Sequence, residues 1–314
     1  MSQDISYTTD ELAKILKISK LTVYDLIKKG ELPSYRVGRQ MRVDGKDLAA
    51  YKERAKSGGQ TANVFASPQQ SQSPPSSKKL PSTIVMTGQD ISMDLLAKYL
   101  ERAQPTIRPL RSYVGSMDSL ISMYQGNADL VSVHLLDGDT GEYNVPYIRK
   151  LLVGQPCLVV GLAARTAGFY VQKGNPCGFH QWEDLRKPSL RLINREKGSG
   201  ARVLLDEQLR LHGITASGIR GYEQEADSHL AVAGTVASGE ADVGIGIEKA
   251  ALVVGIDFMP LIQERLDIVM LKTHANQALI SSVVSILRSE SFKRELRSIG
   301  GYDVSQTGEI LLES

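Results

Sequence analysis

The stretch REKGSGAR (195–202) sets a serine, two glycines and two arginines between an apolar run, LRLI (190–193), and an amphipathic one, VLLDEQLRLHG (203–213). That order predicts a strand, a glycine turn and a helix. Ser199 and the backbone amides around Gly198 and Gly200 then lie at a helix N-terminus, where unpaired N–H groups and the positive end of the helix dipole receive anions. Arg195 and Arg202 flank the same place. Taken alone, G-S-G reads as well as a capped helix with solvated arginines. The signal recurs, however, with further helix starts expected at 87–92 (Thr87), 116–119 (Ser116) and 227–229 (Ser228). Four such N-termini aimed into one cleft would hold a small oxyanion through N–H and hydroxyl donors, without a full countercharge.

Other chemistry-bearing residues give less. Asp137, Asp139 and Glu142 in DGDTGE invite a metal or acid/base reading, but three acids in such a loop read more simply as a solvated turn. His134, at an expected strand end, reads first as a hydrogen-bonded structural histidine. The two cysteines, Cys157 in an apolar run and Cys177 in a Gly/Pro-rich turn, form no CxxC and have no histidine at metal spacing. With no nucleophile–base pair and no phosphate loop, the expectation is a binding protein rather than an enzyme, without resident metal or cofactor.

The elements that must position these residues read as alternating strands and helices. TIVMTG (83–88) precedes SMDLLAKYLERA, IRPLRSYVG (107–115) precedes SMDSLISMYQG, and ADLVSVHLL (128–136) is a third strand. Later come LRLINR into SGARVLLDEQL, IRGYEQE into SHLAVAGTVASG, and ADVGIGI into EKAALVVG. Such alternation predicts an open α/β sheet. Its motifs repeat, which suggests two similar lobes with the ligand beyond the carboxyl ends of the strands. The stretch 156–178 reads as strands crossing between lobes, with the chain returning near 258–272.

The 314 residues suit two or three domains, and the net charge of +2 is unevenly spread. Residues 1–56 carry twelve Lys/Arg against eight Asp/Glu, and the remainder carries 25 against 27, so the basic excess is N-terminal. The first residues lack a signal-peptide pattern, and the longest strongly apolar run, CLVVGLAA (157–164), is too short to cross a bilayer. A cytoplasmic protein without membrane contact is expected.

Within 1–56, YTTDELAKIL (7–16) reads as a helix capped by Thr8 or Thr9, and a second helix, capped by Ser19, presents Val23, Leu26 and Ile27 inward. A three-residue joint makes the pair a helix-turn-helix. Tyr35, Val37, Met41 and Val43 then alternate about a Gly38-Arg39-Gln40 turn, forming a two-stranded wing followed by a helix. Lys20, Thr22, Tyr24 and Lys28 on the second helix can reach phosphates and base edges of double-stranded DNA, and Arg36, Arg39 and Arg42 lie on or beside the wing tip. Thr8, Glu11, Ala13, Leu16, Val23, Tyr24, Gly30, Leu32, Pro33, Gly38 and Arg39 together resemble the winged helix-turn-helix of the excisionase and MerR-like family. Asp25 departs from the basic residue common there, which implies modest affinity per copy and at least a dimer on paired half-sites. Residues 57–81, rich in Gly, Ser, Gln and Pro and free of acids, read as a flexible tether.

Residues 82–314 resemble the type II periplasmic-binding-protein fold. GSMDSL, HLLDGDTGEYNVPY (134–147), REKGSGAR and GEADVGIG more narrowly resemble the molybdate-binding-protein-like domain, which also occurs fused to helix-turn-helix domains and to molybdopterin-biosynthesis proteins. The resemblance implies ligand roles for Thr87, Ser116, His134, Asp137, Thr140, Tyr143, Asn144, Ser199 and Arg202. Met117-Asp118 departs from the small residues of relatives. The expectation is a one-component transcription regulator sensing molybdate or tungstate. The alternatives are a small organic ligand or molybdopterin-type cofactor as effector, or an excisionase-like accessory DNA-binding protein.

Overall fold

A computed structural model describes residues 6–16, 23, 26–27, 32–37, 40–56 and 82–314. The chain divides into two compact units, Met1–Pro75 and Ser76–Ser314. Lys20, Thr22, Tyr24, Lys28 and Arg39, and the stretch 57–81, lie outside the described residues, as does the side chain of Arg36.

In the first unit, Thr8 and Glu11 cap a helix reciprocally. Glu11 Oε2 accepts from the Thr8 amide at 2.8 Å, and Thr8 Oγ1 accepts from the Glu11 amide at 3.4 Å. Helix α1 (Thr9–Leu16) follows β1 (Ser6–Thr8). The wing consists of β2 (Tyr35–Val37) and β3 (Gln40–Asp44), antiparallel with Tyr35 opposite Arg42, and β1 adds to the other edge of β3. Helix α2 (Gly45–Lys56) closes the unit. Leu12, Val23, Leu32, Val43 and Leu48 form the core, and Leu26 and Ile27 pack against it. Arg42 Nη1 donates to Ser6 Oγ at 3.0 Å, so this arginine is anchored along the sheet.

The second unit is a mixed α/β structure of two lobes built on one sheet. In the first lobe, β4 (Ser82–Thr87) lies parallel between β5 (Ile107–Ser112) and β6 (Leu130–Val133). Helix α3 (Ile91–Ala103) covers one face, and α4 (Ser116–Tyr124) and α5 (Val145–Leu151) cover the other. Two fifteen-residue strands, β7 (Cys157–Val171) and β11 (Asp257–Leu271), run antiparallel through both lobes, with register shifts between Pro260 and Ile262 and between Leu266 and Asp267. The second lobe adds β8 (Leu192–Arg195), the short β9 (Glu225–Ala226) and β10 (Val243–Ile247). Helix α6 (Gly200–Leu211) packs on one face of that lobe, and α7 (His229–Ala237) and α8 (Glu248–Val254) pack on the other. Finally α9 (Gln277–Arg288) and α10 (Glu290–Ile299) return to α3 in the first lobe, and β12 (Ile310–Glu313) joins β7.

The expected strand 128–136 is regular only over Leu130–Val133, and the strand expected in IRGYEQE shrinks to two residues. Residues 219–224 instead form turns, with the Tyr222 amide donating to the Ile219 carbonyl and the Gln224 amide to that of Gly221. No helix among the described residues is long and apolar enough to cross a membrane.

Candidate ligand site between the two lobes

Four strands that end at the cleft, β4, β5, β8 and β9, lead into helices whose N-caps are small or polar. Asp90 caps α3 by accepting from the Ser92 amide at 2.8 Å, Ser199 caps α6 by accepting from the Arg202 amide at 3.3 Å, and Ser228 caps α7 by accepting from the Ala231 amide at 3.1 Å. Helix α4 starts after Gly115, an extended residue with no side chain to cap it. The absence of a Cβ lets this position approach the Gly198 carbonyl of the other lobe, and the Met117 amide donates to that carbonyl at 3.0 Å.

These four helix starts meet. Ser116 Oγ lies 3.2 Å from His134 Nδ1 and also accepts from the His134 amide at 3.2 Å. Gly200 packs directly against the His134 ring and carbonyl, where any Cβ would collide. Arg195 Nη2 donates to Gln89 Oε1 at 2.7 Å and to the Asp227 carbonyl at 3.2 Å, and Gln89 Nε2 donates to Glu196 Oε1 at 2.7 Å. One lobe therefore touches the other through backbone, imidazole and amide groups.

The arginines around the cleft are each matched by acids. Arg165, on β7 and only 4% exposed, pairs with Asp90 and Glu264, and Tyr302 also donates to Asp90 at 2.8 Å. Burial alone would raise the Asp90 pKa, but Arg165 and the Ser92 hydrogen bonds hold the carboxyl below its ordinary range. Arg195 pairs with Glu196. Arg202 pairs with Asp206 at 3.2 Å and Glu225 at 3.1 Å, and lies 4.3 Å over the Tyr222 ring. Burial lowers the His134 pKa to about 4 and pushes that of His229 well below its ordinary value, so both rings are neutral near pH 7. The arginines of the cleft are thus paired and its histidines neutral, while Lys249, whose Nζ donates to the Ile299 carbonyl at 2.7 Å, and the carboxylates of Asp118 and Asp227 also line its cavities.

Two adjoining cavities open beside these groups and share Gln89, Ser228 and His229. One, of about 260 Å³, reaches Asp90, His134, Arg165 and Tyr302; the other, of about 600 Å³, is bounded by Gly115, Asp118, Arg195 and Asp227. His229 Nδ1 is shielded from solvent and has no hydrogen-bond partner among the described residues.

Of the residues singled out from sequence, the structure brings Ser116, His134, Ser199, Gly200 and Ser228 together at the cleft. Thr87 ends β4 almost fully buried, and its Oγ1 has no partner among the described residues. Arg202 is occupied by Asp206, Glu225 and Tyr222. Asp137 and Thr140 build a turn: Asp137 Oδ1 accepts from the Asp139 and Thr140 amides, and Thr140 Oγ1 accepts from the Glu142 amide. Tyr143 is buried with its hydroxyl unpartnered. Asn144, with φ +65°, ties that turn to β11, donating to Asp267 Oδ2 at 2.7 Å and accepting from the Leu135 amide at 2.7 Å. Sequence reasoning passed over Gln89, Arg165, His229 and Tyr302. A signal existed for Arg165, which is the sole charged residue in CLVVGLAARTAGFYV (157–171).

Residues 97–288 match the PBP superfamily domain, and residues 6–56 match a helix-turn-helix domain. The uncharacterized protein YvgK of Bacillus subtilis (strain 168) is 50% identical, with all of both chains covered. Among solved structures, a hydrogen peroxide-bound mutant of OxyR from Corynebacterium glutamicum aligns over 98% of this chain and 92% of its own, with a TM-score of 0.52 at 12% identity. The sulfate-binding protein SubI from Mycobacterium tuberculosis aligns over 70% of this chain and 86% of its own, with a TM-score of 0.50 at 13% identity. At those identities the two solved structures share the fold with the second unit and nothing finer. By the length and specificity of its match, and by the two-lobed sheet with its interlobe cleft, the chain belongs to the PBP superfamily domain family and carries a helix-turn-helix DNA-binding domain at its N-terminus.

Proposed function

We propose that this protein is a cytoplasmic, ligand-responsive transcription regulator whose effector is a small oxyanion of the molybdate or tungstate class, bound between the two lobes. The observation that carries this reading is the meeting of four helix N-termini around neutral His134 and His229. Helix termini and neutral donors suit an anion whose charge is spread over several oxygens. Ser116, His134, Ser199, Gly200 and Ser228 are the residues assigned to the effector. SubI, which shares the fold, is named for binding sulfate. DNA contact is assigned to Lys20, Thr22, Tyr24 and Lys28 of the second helix and to Arg36, Arg39 and Arg42 of the wing. A homodimer on paired half-sites supplies the affinity that one small module lacks. The effector acts on DNA binding only through its different affinity for the open and closed lobes.

The test is calorimetry and thermal unfolding of the full chain with molybdate, tungstate, sulfate and phosphate. An effector at about a hundred times its dissociation constant adds roughly 2.7 kcal/mol of stability. Absence of binding by every oxyanion would sink the assignment. A DNA fragment whose retention is indifferent to a bound oxyanion would instead sink the regulatory coupling.

A further inference from the structure

The smaller cavity has a mixed lining. Asp90, His134, Arg165, His229 and Lys249 contribute its polar and charged groups. Ile91, Leu230, Ile247, Ala250 and Val253 contribute hydrocarbon from the first turns of α3 and α7, the end of β10 and α8. Hydrocarbon gains nothing for a bare oxyanion, whose partial dehydration against it is unfavourable. At about 260 Å³ the cavity lies just below the range of about 300–1,000 Å³ typical of pockets for organic ligands, so any body it takes is small.

We propose that the effector is an organic oxyanion: an anionic head held by the helix starts and His134, carried on a compact apolar body of about the size of one ring, seated against Ile91, Leu230 and Val253. This rests on the interlobe anion site proposed above and departs from that reading in one respect: the anion is an organic one rather than a free ion of the molybdate or tungstate class. Arg165 between Asp90 and Glu264 leaves one carboxylate charge in excess, Lys249 on the same cavity supplies the opposite charge, and His229 Nδ1, without a hydrogen-bond partner among the described residues, meets the head. The apolar side chains accept the body.

The experiment compares heads of one kind with and without a body on the full chain: phosphate against phenylphosphonate, and sulfate against benzenesulfonate, with benzyl alcohol as the uncharged control. Each buried methylene lowers a dissociation constant about fourfold, so a ring in the cavity tightens binding by on the order of thirtyfold or more. Ile91→Ala with Leu230→Ala, both half-exposed positions whose truncation the fold tolerates, reduces that gain to a few-fold and leaves the inorganic anions unchanged. If the inorganic anions bind and the ring-bearing partners bind no tighter, the apolar body is refuted and the small-oxyanion reading stands. If benzyl alcohol binds as tightly as the acids, or if no anion binds in either form, the anionic head is refuted, and both readings fall.

Discussion

Gln89 of the first lobe accepts a hydrogen bond from Arg195 of the second at 2.7 Å, and its amide nitrogen returns one to the adjacent Glu196 at the same distance. A neutral amide satisfies both members of an Arg–Glu pair at once, because it is donor and acceptor together. Gln89→Leu removes both bonds across the cleft and, at about 1 kcal/mol for each, weakens effector binding by about tenfold or more. Gln89→Glu sets a carboxylate against Glu196 and weakens it at least as far. Calorimetric dissociation constants check this, and affinities unchanged in both variants would show that the contact does not contribute to closure.

Arg165 is almost wholly buried between Asp90 and Glu264. Arg165→Met leaves two carboxylates without their cation and destabilises the second unit by about 3–5 kcal/mol. Urea unfolding of the full chain, followed by the fluorescence of Trp182 on the second-lobe core, measures the loss.

His134 predicts a pH window. Its folded pKa, lowered by burial to about 4, lies below the ordinary value of 6.5. The unfolded chain therefore takes up a proton that the folded chain refuses, and stability falls as pH drops from about 6.5 to about 4, then levels. The full loss from this one ring is roughly 3 kcal/mol. His134→Gln flattens that part of the curve, and a variant with the same acid dependence as the parent would refute the assignment.

Gly200 has no room for a methyl group, because a Cβ there would overlap the His134 ring and its carbonyl oxygen. Gly200→Ala forces the imidazole away from Ser116 and costs about 1–3 kcal/mol of stability. Effector affinity falls by at least tenfold, since the displaced ring belongs to the site. Gly218, with open space around it, is the control position, and the same substitution there leaves binding unchanged.

Much of this architecture is legible in the residues. Strand, turn and helix follow from the period of the apolar residues, so 83–88, 190–195 and 243–247 emerge as strands and the helix starts after them as a group. Thr8 and Glu11, three residues apart, spell their own cap. The site is only half readable. Ser199 and Gly200 announce themselves because a helix start needs small and capping residues locally. Arg165 and Glu264 do not, since they are 99 positions apart and become partners only when β7 and β11 pair, and Tyr302 reaches Asp90 across 212 positions. Arg202 misleads for the converse reason. Its helix-start position suits an anion, while Glu225 and Tyr222, which engage it, come from a distant loop that sequence spacing cannot place.

The paired strands β7 and β11 carry a last consequence in their two register shifts, at Pro260/Ile262 and Leu266/Asp267. A two-stranded ribbon with a continuous ladder resists shear, because sliding by one residue would turn every side chain to the opposite face. It yields to bending where the ladder is interrupted. Asn144 bonds to Asp267 beside one interruption, and the Arg165–Glu264 pair stands between the two. The two interruptions thus mark the short length of ribbon at which one lobe bends most easily against the other, like the spine of a book.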